Sequence, residues 1–221
     1  VAANNLLVLR KTRDLFESYK RMRATCTDEK IAKLPAEHQR ALKFNRALLL
    51  LYMNKGEECR EALKVLEVDY PEHTVLPKLV RASLLFRERK LTKCEDLLLA
   101  QADAAGSADD ALRLRLTLVQ ILLVQGKLED AAAQLRGLEQ LTHMPGLVAT
   151  LVAVLERIGD VDGAVQVLED AIAFHSSEEG MEVEGGEEEE EEGKRQQRRI
   201  TLVMGKGLLL TRHRRYPAAA E

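Results

Sequence analysis

The apolar positions of this chain fall mostly on helical spacings, punctuated by Gly and Pro. Val161, Ala164, Val165 and Leu168 stand at i, i+3, i+4 and i+7, the stripe of one buried helix face. Gly159 precedes them, and before it a run from about Leu147 to Ile158 opens with Pro145 and Gly146. Proline suits a first helical turn, where its missing N–H costs nothing, and glycine suits the left-handed residue that ends a helix. The pattern predicts two helices joined by a short turn. The stretch GKLEDAAAQLRGL at 126–138 repeats the spacing of GDVDGAVQVLEDA at 159–171. In both, Gly is followed five residues on by Ala (Gly126 to Ala131, Gly159 to Ala164) and nine on by Leu (Leu135, Leu168).

One segment, LRLRLTLVQILLV at 112–124, starts with the alternation of a half-buried strand. It is too long for a typical strand and stands where the repeat requires a first helix, so a helix from Asp109 to Gln125 is expected, with Asp109 as N-cap. Its apolar residues cover nearly the whole circumference, which predicts burial on more than one side.

Taking the small residue after each turn as a landmark gives Cys59, Cys94, Ala131, Ala164 and Ala219, at intervals of 35, 37, 33 and 55. The first three intervals bracket the ~34-residue period of helix-turn-helix repeats, and the fourth is one such period plus an insertion. Pro35, Pro71 and Pro217 stand at other predicted helix starts. A small side chain at the landmark lets the second helix approach the first, and each pair must dock on its neighbours because it cannot bury its face alone. Cys59, Cys94, Gly126, Ala131, Gly159, Ala164 and Ala219 are therefore structural positions. The expected organisation is a lead-in helix (LFESYKRM) and linker over 1–34, four repeats over 35–176, an acidic disordered insertion over 177–197, and a fifth repeat over 198–221, truncated in its second helix.

Composition supports this. Hydrophobic residues make up 46% of the 221, enough for a sizeable core, while aromatics are 4% and Trp is absent. Good helix formers dominate over β-branched residues, so an all-α fold is expected. The net charge is −3, yet ten acids and no base lie between Glu178 and Glu192, leaving +7 on the remainder. That mildly basic body is compatible with a place beside nucleic acid, but the charge is spread out as on a solvated surface. The acidic run is flanked by Gly185, Gly186 and Gly193 and reads as a solvated insertion. No apolar run reaches the ~18 residues of a membrane span, and no signal-peptide layout opens the chain, so a soluble intracellular protein is expected. The first and last residues read as those of a stretch cut from something longer.

No arrangement for catalysis, metal or cofactor emerges. His38, His73, His143, His175 and His213 are scattered, without an H-x-x-x-H pair. Three cysteines without a C-x-x-C suggest neither a disulfide framework nor zinc, and two of them occupy landmark positions, where packing is the expected role. No phosphate-binding glycine loop or nucleophile elbow is present. KRQQRR at 194–199 and RHRR at 212–215 could touch phosphates but lack aromatic residues for base stacking.

What remains is surface. Helical-repeat stacks turn their first helices toward a concave face. The residues expected there are Phe44, Leu48 and Tyr52 in the first unit, Leu79, Ser83 and Phe86 in the second, and Leu116, Gln120 and Leu123 in the third. Mostly apolar, they suit an amphipathic partner segment. They would equally serve to complete the core.

The repeat resembles the tetratricopeptide motif, which implies a right-handed superhelical solenoid. DLFESYKRM at 14–22, FNRALLLLYMNKGEECR at 44–60, TKCEDLL at 92–98 and LEQLTHMPGLVATLV at 138–152 are similar to the tetratricopeptide region of the seventy-two-kilodalton subunit family of the signal recognition particle. The resemblance also takes in NNLLVL at 4–9 and PEH at 71–73. It implies a non-enzymatic scaffold that binds the sixty-eight-kilodalton subunit in the cytoplasm and, transiently, at the endoplasmic reticulum surface. It implies no small-molecule substrate and no membrane insertion. The family's RNA contact lies in a lysine-rich, tryptophan-containing tail that this chain lacks, so contact with the particle RNA is expected only through the complex. A chaperone adaptor holding an acidic peptide would need Lys and Asn near Phe44 and Leu48. A direct RNA binder is the other alternative.

Overall fold

The computed structural model describes residues 13–25, 27–72, 75–138, 141–177 and 188–213. Among them stand eleven helices and no strand: α1 (Leu15–Thr25), α2 (Asp28–Ile31), α3 (Ala36–Tyr52), α4 (Gly56–Asp69), α5 (Val75–Arg87), α6 (Leu91–Asp103), α7 (Ala108–Gln125), α8 (Leu128–Arg136), α9 (Pro145–Ile158), α10 (Val161–Ser177) and α11 (Glu188–Arg212). Within each compact unit of the chain, helices pack in consecutive pairs, as in an all-α helical-repeat solenoid. The chain forms two compact units, the first ending at Thr117 and the second beginning at Leu118, within α7.

In the first unit α3 packs on α4 and α5 on α6, while α5 also rests on α3 and α4. Leu50, Leu63 and Leu66 form the centre of the core with Val80 and Leu84 from the next pair. The lead-in joins this body: Met22 of α1 and Ile31 of α2 are buried with Leu42 and Leu49 of α3. Tyr19 of α1 donates to Glu58 Oε2 at 3.1 Å, and the Lys55 ammonium lies 4.5 Å from its ring. In the second unit α9 packs on α8 and α10, and α11 on α10. Leu202, Leu209 and Leu210 are the buried residues of α11, and Ile200, Val203, Met204 and Leu208 are exposed.

One turn geometry recurs. Asn54, Arg89, Gly126 and Gly159 all have positive φ, at 58°, 60°, 77° and 92°. The N–H of each following residue bonds a carbonyl five residues back, Lys55 to Leu50, Lys90 to Leu85, Lys127 to Leu122 and Asp160 to Leu155, each at 3.0 Å. This is the Schellman closure of a helix end. Asp160 then caps α10, its Oδ1 accepting from Gly163 N at 2.9 Å. The landmark residues Cys59, Cys94, Ala131 and Ala164 follow the left-handed residue by five positions and are wholly buried. Ala219 and Pro217 lie outside the described residues, as do Cys26 and His73.

Several expectations are corrected. α7 starts at Ala108, so Asp109 is no N-cap; it lies in the first turn and pairs with Arg113 one turn on, at 2.9 Å. On α7 the buried Leu114, Leu118, Ile121 and Leu122 share one face and the buried Val119 lies to its side, so burial extends beyond a single stripe, while Val124 is 73% exposed. Pro71 lies in a turn, and α5 starts only at Val75. Pro145, by contrast, is the first residue of α9, and the helix starts there and not at Leu147. The disorder expected over 177–197 does not extend to Glu188, where α11 starts; residues 178–187 lie outside the described set. Glutamate is a good helix former and negative charge is favoured at a helix N-terminus, so an acidic run can open a helix as readily as form a tether.

Candidate partner-binding surface

The nine residues expected on a binding face do not form one uniform surface. Phe44 and Leu48 of α3 are half-buried against the core of the first unit. Tyr52, 44% exposed, has the Arg87 guanidinium 5.2 Å from its ring centre. Arg87 is held there by donating to Leu51 O at 2.7 Å and Asn54 Oδ1 at 3.3 Å, which ties the end of α5 to the end of α3. On α5, Leu79 and Phe86 are half-buried, and the exposed Ser83 turns its hydroxyl back to Leu79 O at 2.9 Å. On α7, Leu116 and Leu123 are half-buried and Gln120 is exposed. The apolar members thus serve the core with part of their surface and leave the rest open.

One of them, Phe44, lines a groove of about 260 Å³ where α3, the end of α4 and the start of α5 converge. Leu66, Tyr70, Leu76 and Pro77 supply its other apolar walls, and Arg40, one turn before Phe44, its single formal charge. The Tyr70 wall is braced by Lys43, whose ammonium lies 5.5 Å from the ring and pairs with Asp69 at 2.6 Å. Sequence reasoning missed Arg40, Tyr70 and Leu76. Arg40 could have been found from its i, i+4 relation to Phe44; Tyr70 and Leu76 could not, because they face Phe44 only once the second pair has docked.

Two larger hollows lie nearer the lead-in. One, of about 470 Å³, is bordered by Ile31, Lys43, Arg46, Glu58 and Glu61, and the other, of about 420 Å³, by Tyr19, Arg46, Lys55 and Glu58. Their charges are of both signs and extensively paired, as in the Lys55–Glu58 bridge at 2.7 Å.

The remaining polar groups serve packing. Cys59 and Cys94 are buried thiols, and burial pushes Cys94 up to about 11, away from the thiolate a nucleophile needs. His143 stacks on Phe174 with centroids 3.9 Å apart, and the buried His175 places Nε2 3.1 Å from His143 O. His213 lies 3.2 Å from Glu156, while His38 is exposed. Among the described residues no group of three or more His, Cys, Asp or Glu could hold a metal, and no helix is long and apolar enough to cross a membrane.

No protein-family model matches the chain. It is 34% identical over 177 residues to signal recognition particle subunit SRP72 of Homo sapiens, a match covering 80% of this chain and 26% of that protein. The same figures hold for SRP72 of Canis lupus familiaris, and SRP72 of Dictyostelium discoideum is 28% identical over 173 residues, covering 73% of this chain and 25% of its own length. The chain therefore spans about a quarter of the length of the curated relatives it matches.

Proposed function

We propose that this chain, a homologue of one segment of signal recognition particle subunit SRP72, is a non-enzymatic protein-binding scaffold of that particle. On this reading it captures a segment of the sixty-eight-kilodalton subunit and so contributes to co-translational targeting of secretory proteins from the cytoplasm to the endoplasmic reticulum. Particle RNA is engaged through the complex. The observation that carries the binding reading is that Phe44, Leu79, Phe86 and Leu116, all on first helices of pairs, keep apolar surface open after the core is formed. A groove of this kind draws most of its affinity from a few large anchors.

Calorimetric titration of the chain with the carboxy-terminal region of the sixty-eight-kilodalton subunit, and separately with the particle RNA, tests this. Partner binding that changes little between 50 and 300 mM salt is expected, because apolar anchors release few counterions. Phe86→Ala and Leu116→Ala should each weaken it by roughly 1 kcal/mol or more. Tight, steeply salt-dependent RNA binding without partner binding would replace the scaffold reading with a nucleic-acid one. Capture of an acidic chaperone peptide instead would favour the adaptor.

A further inference from the structure

We infer that the groove at the junction of the first two helix pairs is a seat for one large apolar side chain of a partner protein segment that carries a carboxylate beside it. The inference rests on the protein-binding reading above and names the chemistry of one anchor. The groove's volume, about 260 Å³, is below the roughly 300–1,000 Å³ of small-molecule sites and suits a side chain or two. Its walls are apolar: Phe44 from α3, Leu66 and Tyr70 from the end of α4, Leu76 and Pro77 from the start of α5. They are also preformed, since Phe44 and Tyr70 rest on the core and the Lys43–Asp69 pair fixes the ring of Tyr70. Preformed walls spare a ligand the entropy of ordering them.

Charge selects the occupant. Lys43 is neutralised by Asp69, whereas Arg40, half-buried at the rim, has no anionic partner among the described residues. A guanidinium beside an apolar slot favours a ligand whose carboxylate it can bind in a fork while the slot takes the hydrophobic group. With a single cation, the groove is not a clamp for a highly acidic peptide.

The probe is 3-phenylpropionate, a ring with a carboxylate, compared with its neutral amide by NMR on the 221-residue chain. The acid should shift signals of Leu66, Leu76 and Tyr70, and bind about two- to five-fold tighter than the amide, the range of a partly exposed ion pair. Arg40→Gln should abolish that preference without touching the core. Phe44→Ala should weaken acid and amide alike. The carboxy-terminal region of the sixty-eight-kilodalton subunit should displace the acid, and Arg40→Gln should weaken that region by a similar factor. Equal binding of acid and amide, shifts elsewhere in the chain, or no shifts would overturn the inference. If the acid binds as stated and that region does not bind at all, the groove chemistry stands and the assignment of the partner falls.

Discussion

The Cys94 thiol donates to the carbonyl oxygen of Ala82 at 3.2 Å, twelve residues back on the preceding helix, and Cys59 does the same to Ala47 at 3.4 Å. All four residues are wholly buried. A small residue on each helix of a pair lets the second backbone come close enough for a thiol to reach a main-chain carbonyl. Enlarging either side should force the helices apart.

Ala82→Leu therefore inserts three carbons where none fits, and should cost about 1–3 kcal/mol by overpacking. Ala131→Arg, at the corresponding landmark of the second unit, should cost more because it also strands a charge. Urea denaturation that leaves Ala82→Leu as stable as the parent would remove close packing as the reason for the spacing.

The turns yield the opposite kind of variant. Arg89 holds φ at 60°, in the left-handed region where glycine is at ease and a side chain costs about 1–2 kcal/mol. Arg89→Gly keeps the Lys90 to Leu85 hydrogen bond and relieves that strain, offset in part by the greater freedom of glycine in the unfolded chain. A gain of about 0.5–1 kcal/mol is expected. Gly159→Ala, at φ 92° with nothing near its Cβ, should lose a similar amount through backbone strain alone. Thermal melts of the two variants should therefore move in opposite directions.

These turns also mark how far the sequence could be read. Gly126 and Gly159 disclosed their positions because only glycine takes a left-handed conformation freely. Asn54 gave a weaker signal, because Asn takes that conformation more readily than most residues, and Arg89 gave none, since there the surrounding structure imposes a conformation its side chain does not advertise. Helical spacing likewise disclosed the stripe on α10, but it could not separate Leu116, half-buried, from Leu118, buried two positions on. The groove was the least legible feature. Phe44 could be named from its helix, whereas Tyr70 and Leu76 join it from elements far along the chain, through docking that no local pattern encodes.

α11 offers a separation between helix content and stability. The helix starts at Glu188, and among its described side chains the first buried one is Leu202, residues 193, 194 and 196–201 being exposed. Glu190→Pro should break the opening turns, since proline costs about 3 kcal/mol within a helix. That cost can be avoided by fraying the opening turns, which precede Leu202, so circular dichroism should register less helix while the melting midpoint stays within about 1 °C. A cooperative loss of stability would mean that the opening turns pack on the second unit.

Acid should loosen the first unit through Glu88. Lys90, at 2.7 Å, and Arg60 both bond its carboxylate and hold it below its ordinary value of 4.5. A carboxyl with a depressed folded pKa binds fewer protons folded than unfolded. Its stabilisation is fully present above 4.5 and is lost as pH falls through the lower folded value. Glu57, lowered by Arg60, follows the same sign, so the network should weaken together as the pH falls below the ordinary carboxylate range and through the lower folded values. Glu88→Gln should lower the melting temperature by roughly 1–3 °C at pH 7, a modest effect because the groups are partly solvated. The variant and the parent should converge once the pH has fallen below the depressed folded value, where both carry a neutral side chain at this position. A difference that persists undiminished in acid would assign the role of Glu88 to packing and not to its charge.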